Sequence, residues 1–288
     1  METNAIQNRY EFVMLFDCEN GNPNGDPDAG NMPRTDPETS FGIVTDVCLK
    51  RKIRNFVELY KEGEPGFNIL IKADKALNSK FTEAYDALGL TKKQKGKDAD
   101  AVKQAQQYIC QNYYDVRTFG AVMSTGDDPC GIVRGPVQIN FARSVDPVYP
   151  QDFTITRQAK TTEDRQAAGS TEMGKKSVIP YGLYRAEGYV SAMQAQKVTG
   201  FSEDDLELLW TAILHMFDED HSAARGKMCM RALYVFKHES PLGNAPSHVL
   251  FDTIKVTRKE GVAVPRAFSD YDVDDKSPMP EGVTLVRK

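Results

Sequence analysis

Several absences narrow what this chain can be. No apolar stretch approaches the roughly 18 residues that span a bilayer, and the polar opening METNAIQNRYEF has no charged-then-apolar leader. Cytoplasm is the expected location, with no membrane partner. Cysteine is scarce: Cys18, Cys48, Cys110, Cys130 and Cys229 are odd in number, scattered and free of any CxxC pair. That excludes a disulfide framework and a zinc knuckle and leaves reduced, mostly buried thiols. Of only four histidines, His215 and His221 come closest to a cluster, with Asp218 between them. Offsets of i, i+3 and i+6 turn His221 away from His215 around a helix. HExxH, GxSxG and P-loop patterns are missing, and no internal repeat is visible.

What is present is a globular composition. The chain has 288 residues, 40% of them hydrophobic, enough for one elaborated domain or two small ones. A net charge of −5 argues against binding nucleic acid over the whole surface and leaves open a local basic site.

YEFVMLFDCE, residues 10–19, is an apolar β-rich run that predicts a strand buried on both faces. It leads into the oxygen-rich, turn-forming DCENGNPNGDPDAGN at 17–31. Three readings fit this loop. Asn20, Asn22, Asn24 and Gly25 fall on the first, third, fifth and sixth places of an EF-hand loop, although Asn31 stands where a bidentate Glu belongs. A structural turn is the second, its Asn and Asp side chains capping their own backbone. The third is a phosphate cradle, with Gly and Asn letting a phosphate chain approach and Arg34 completing it.

From about 42 to 60 the pattern predicts a helix, on which Lys50, Arg51 and Arg54 share one arc beside the apolar stripe. SKFTEAYDAL and DADAVKQAQQYICQNYY, joined by TKKQKGK, predict an inserted helical lobe over about 72–130. GPVQINFARSV predicts a strand with Val137, Ile139, Phe141 and Val145 alternating. ITRQAKTTEDRQAAGSTEMGKKS is poor in large apolar residues and reads as a projecting hairpin or flexible arm before the strand YGLYRAEGYVSA. Ser202 as N-cap, Asp205 at N3 and the stripe Leu206, Leu209, Trp210, Ile213, Phe217 mark a second core helix, and MCMRALYVFKHE a last strand. The acidic tail from Glu260 reads as loop with some edge structure.

Without the two insertions, the order is βαββαβ, that of the ferredoxin-like fold shared by RNA-recognition motifs. Arg117, Arg134, Gln138 and Arg143 stand beside glycines and strand residues, where each Arg either meets a ligand or pairs with an Asp of its own sheet. Asp17, at the end of the first strand, is a capping or turn residue or a Mg²⁺ ligand for phosphodiester cleavage.

FDCENGNPNGDPDAGNMPRTD, DVRTFGAVMS, VRGPVQINFARSVDPV and LYRAEGYVS together resemble the CRISPR-associated backbone (RAMP) subunit of type I Cascade surveillance complexes, most like the type I-C (Csd) branch. The likeness runs from about residue 10 to 255. It implies an α+β protein with a ferredoxin-like, RRM-like palm, helical fingers and a β-hairpin thumb. The palm would occupy 1–71, 131–149 and 181–288, the last with a C-terminal extension; the fingers would be 72–130 and the thumb 150–180. Such subunits polymerise along CRISPR RNA beside other Cascade subunits, leave the guide bases free to pair with target DNA, and act before a recruited helicase-nuclease. The resemblance places guide-RNA contacts on Asn22, Asn24, Arg34, Lys50, Arg51, Arg54, Arg134 and Gln138, and on Arg157, Lys160, Lys175 and Lys176 of the thumb. It implies no cofactor, no metal and no catalysis, since no residue aligns with the loop aspartate by which type III relatives cut RNA. The competing enzymatic reading is a metal-dependent or CRISPR-processing endoribonuclease; a calcium-regulated binding module is the third.

Overall fold

A computed structural model describes residues 4–73, 75–90, 98–157 and 172–288. Its main ladder contains β1 (Tyr10–Gly21), β4 (Phe41–Val44), β8 (Ala142–Pro147), β10 (Glu172–Val190), β11 (Lys227–His238) and β14 (Val283–Arg287), in the order β14-β11-β1-β10-β8-β4. Two further strands, β7 (Val137–Ile139) and β9 (Gln151–Arg157), also pair with β10. Small two-stranded sheets join β2 (Gly25–Asp26) to β3 (Met32–Pro33), β5 (Gly120–Met123) to β6 (Gly131–Arg134), and β12 (Lys255–Arg258) to β13 (Tyr271–Asp274). Every pairing among the described strands is antiparallel. The helices are α1 (Asp46–Tyr60), α2 (Leu77–Ala87), α3 (Ala99–Asn112), α4 (Tyr114–Phe119), α5 (Glu203–His215) and α6 (Ser247–Phe251).

The period of two along β1 explains why its sequence is apolar throughout. Phe12, Met14 and Phe16 point to one layer, where they pack with Leu49, Ile53 and Val57 of α1 and with Leu209, Trp210 and Ile213 of α5. Trp210 meets the Phe12 ring edge-on at 5.3 Å between centroids. Val13 and Leu15 point to the opposite layer, which Leu250, Phe251, Ile254 and Tyr271 close from the C-terminal segment. Gly188, paired with Phe12 across the ladder, leaves room for that ring; a methyl there would overlap it. Gly188→Ala is therefore expected to lower stability by about 1–3 kcal/mol through overpacking, read as a shift in the urea midpoint.

A third apolar cluster belongs to the insertion. Leu70, Phe81, Tyr85, Ile109, Val116 and Val133 pack there around α2, α3 and the β5–β6 hairpin. Buried ions join this cluster to the main core through α4. Arg117 forks onto Asp205, with Nε and Nη2 each 2.8 Å from a carboxylate oxygen, while Nη1 donates to the carbonyls of Gly66, Cys110 and Gln111. Asp205 is also the N3 residue of the capping box at Ser202.

The structure departs from the sequence reading at several points. The segment at 42 begins as strand β4, and α1 starts only at Asp46, because Thr45 accepts from the Cys48 amide as its N-cap. The inserted lobe includes a β-hairpin as well as helices. Phe141 is 56% exposed, since the chain breaks between β7 and β8 and Ala142 takes the next inward position. Asp17 does not end the first strand, which runs on to Gly21. In the acidic tail, β13 pairs with β12 and β14 extends the main ladder beyond β11. Cys18, Cys110 and Cys130 are buried; burial pushes the Cys18 and Cys130 thiols up to about 12 and that of Cys110 to about 11. No helix among the described residues is long and apolar enough to cross a membrane.

Candidate nucleic-acid interface

The oxygen-rich loop after β1 is tied to the start of α1. Asn24 Oδ1 accepts from both the amide and the hydroxyl of Thr45, at 3.0 Å each, and the Asn24 carbonyl accepts from the Arg34 amide at 3.0 Å. Asn22, 7% exposed, donates from Nδ2 to the Asn31 carbonyl at 2.7 Å. Asn20 and Asn31 adopt left-handed backbone with φ of 50° and 61°, conformations that Asn tolerates better than most residues. Loop and helix thus form one unit, within which Asn22 Oδ1 is buried without a hydrogen-bond partner among the described residues. Arg34 lies half-buried beside Asp26 at 3.3 Å.

Along α1 the basic residues separate by depth. Lys50 Nζ bonds Asp46 at 3.0 Å and reaches Gln138 Oε1 at 3.5 Å, which brings the LKRKIR and VRGPVQIN segments together. Arg51 is half-buried and makes no hydrogen bond or ion pair among the described residues; burial first, then the neighbouring Arg54, lower its guanidinium pKa. Arg54 is not on the exposed arc. Only 8% exposed, it donates from Nε to the fully buried Asp115 at 2.8 Å. The correction has a physical cause: one turn beyond Lys50 the helix lies beneath α4, where an unpaired carboxylate would be costly. Lys52, between them, points into the core and pairs with Asp220.

Beside Lys50 runs an open groove of about 630 Å³ lined by Phe119, Val122, Ile132, Arg134, Gln138 and Tyr189, among others. Arg134 is exposed and without a partner among the described residues. Val122 and Ile132, opposite one another on the β5–β6 hairpin, are 70% and 59% exposed. Lys50 Nζ and Arg54 Cζ both stand over the Phe119 ring, 5.6 and 5.3 Å from its centroid. Phe119 is itself 7% exposed, so the groove presents chiefly Val122, Ile132 and the Gln138 amide beside Arg134 and Lys50, with the ring beneath, a set suited to sugar and phosphate.

Other candidates stand apart. Arg117 and Arg143 both pair with carboxylates, though not of their own sheet: Arg117 with Asp205 of α5, and Arg143 with Asp36 at 3.5 Å. Lys175 pairs with Asp152 at 2.8 Å across the β9–β10 ladder, and Lys176 donates to the Ala223 carbonyl at 2.6 Å. Arg157 ends β9, and Lys160 lies outside the described residues. Asp17, 2% exposed, accepts from Tyr181 Oη and Arg231 Nε, which hold its Oδ2 inside the fold. His215 pairs with Asp218 at 2.7 Å, and the described residues contain no group of three His, Cys, Asp or Glu able to hold a metal ion. Sequence reasoning missed Phe119 and Tyr189. Phe119 was within sight, two residues after Arg117 in DVRTFG.

Fold and groove define an α+β protein with an antiparallel sheet, a helical insertion and a basic, aromatic-floored cleft at their junction. The chain belongs to the CRISPR-associated protein Cas7 family, whose model matches residues 8–276. A CRISPR-associated protein Cas7 from Haloferax volcanii is 26% identical over 258 residues, covering 82% of this chain and 72% of that one. A chain of a CRISPR RNA-guided surveillance complex, pre-nicking, matches at TM-score 0.49 and 13% identity, over 79% of this chain and 78% of that one. Another CRISPR RNA-guided surveillance complex matches at 0.45 and 14%, over 79% and 68%.

Proposed function

We propose that this protein is a non-catalytic backbone subunit that polymerises along CRISPR RNA in a type I surveillance complex, of the type I-C branch. Membership of the Cas7 family over most of the chain carries this reading. The groove supports it. Lys50, Arg51, Arg134 and Gln138 hold the guide backbone, with Arg34 at the rim of the adjoining loop. Contacts to phosphate and sugar suit a guide of any sequence, because reading is left to base pairing with target DNA.

The palm is the sheet with α1 and α5. Its strands β11, β1, β10 and β8 lie side by side, which supports reading it as a ferredoxin-like βαββαβ unit. The insertion cluster supplies the fingers, and the β9–β10 hairpin, carrying Lys175 and Lys176, is the thumb that meets the next copy. Other subunits of the complex and a recruited helicase-nuclease complete its partners, in the cytoplasm.

The test is the mass of complexes formed with single-stranded repeat–spacer RNAs of increasing length, by size exclusion with light scattering. Bound copies should grow stepwise with RNA length. One protein per RNA at every length, or shortened RNA, would replace the polymerising scaffold by a simple binder or a nuclease.

A further inference from the structure

Asp115 is fully buried, one helical turn before Phe119, which lines the groove. Its oxygens accept from Arg54 Nε at 2.8 Å and from the amides of Leu70 and Ile71 at 2.8 and 3.1 Å. Thus one carboxylate on α4 joins α1 to the chain entering the insertion. Arg54 turns its guanidinium over Phe119, on the ring that Lys50 also covers, and Lys50 continues to Gln138. Phe119 lines the groove. The contacts run in one line, from a buried anion through a buried cation and a ring to the two polar groups at the groove's edge.

We propose that Arg54 and Asp115 are positioning residues for the guide groove: the pair fixes Phe119 and Lys50 beneath the RNA, and Arg54 itself touches no phosphate. This rests on the RNA-binding reading above. The Arg54 side chain is 10% exposed and its Nε is committed to Asp115, so swinging it out to a phosphate would give up a buried ion pair. Its planar guanidinium serves the Asp115 bond and the Phe119 face together, in a fixed geometry that a lysine in its place would not reproduce.

Two effects of opposite sign make the pair testable. Removing an anion beneath an RNA site strengthens binding if only the electrostatic field matters, because charges closer than the Debye length of about 10 Å at 0.1 M salt are incompletely screened. If Asp115 positions the groove, the same change weakens binding. The experiment is fluorescence anisotropy with a single-stranded repeat–spacer RNA over a salt series, using the full chain and checking each variant by near-UV circular dichroism and thermal melting.

Asp115→Asn is expected to bind about tenfold more weakly, with the slope of log affinity against log salt unchanged. Arg54→Gln should do the same, and the double variant should be no worse than either single one. Lys50→Ala should flatten the slope by about 0.7, the step for one phosphate on single-stranded nucleic acid. Arg54→Lys serves if the other two fail to fold: a positioning role predicts weaker binding although the charge is kept. Binding by Asp115→Asn at or above the wild-type level, a slope step in Arg54→Gln equal to that of Lys50→Ala, or undiminished binding by Arg54→Lys overturns the proposal. A wild-type chain that binds no RNA instead removes the functional reading, and this one with it.

Discussion

Replacing Asp205 with alanine is expected to bring this protein close to unfolding. The substitution removes both oxygens of the Arg117 fork and leaves a buried guanidinium with carbonyl partners only. Taking one partner from a buried ion pair costs about 3–5 kcal/mol. The same carboxylate accepts from the Ser202 amide in the capping box of α5, and losing a cap costs about 1 kcal/mol more. Against a total of about 5–15 kcal/mol for a native protein, little remains. Urea denaturation followed by circular dichroism should show the midpoint collapse, with Asp205→Asn intermediate. By contrast, Asp218→Ala, which breaks an exposed pair with His215, should change stability by less than about 0.5 kcal/mol. If the Asp205 and Asp218 variants shift the midpoint alike, the fork does not anchor the insertion.

The second large effect is on RNA. Lys50→Ala, Arg51→Ala and Arg134→Ala combined should reduce the salt slope of RNA binding by about 2, at about 0.7 per lost phosphate contact. Affinity at low salt should fall about a hundredfold or more. Lys50 stands at the groove's edge through Gln138, and Arg51 and Arg134 make no ion pair or hydrogen bond among the described residues. Lys255 and Lys259, on the C-terminal segment that covers the opposite layer, are the controls; replacing both with alanine should leave the slope in place. Equal slopes for the triple variant and wild type would move the guide away from this groove.

Much of this architecture was legible because it depends on local signals. Ser202 and Asp205 announce the start of α5, the Leu206–Phe217 stripe declares its buried side, and the unbroken apolar run of β1 reflects burial on both faces. Short elements were not legible. β4 is a four-residue strand running straight into an N-cap, so the helix signal that follows obscured it. The β5–β6 hairpin turns near Gly126 and Gly131, both at positive φ, within a stretch dominated by helical patterns.

At the site, charge was easier to read than burial. LKRKIR marks a basic helix, but which of its cations face solvent depends on Asp115, 61 residues after Arg54, and on Asp220, 168 after Lys52. Nothing local to α1 announces those partners. The amides of Asn22 and Asn24 bond the loop to itself and to the helix start, contacts that no local pattern announces. Phe119 was hidden for a related reason: an aromatic residue becomes a groove floor only through what packs around it.

The length of β10 has a mechanical consequence. One unbroken strand of 19 residues, about 60 Å at 3.3 Å per residue, pairs with β9 near its start and with β1 from Ile179 to Val190. The hairpin and the central ladder therefore share a single backbone beam. A pull on the hairpin along that beam loads the β1–β10 hydrogen bonds in shear, so that they resist together instead of opening one after another. A force applied to the hairpin is thus carried straight into the central β1–β10 pair.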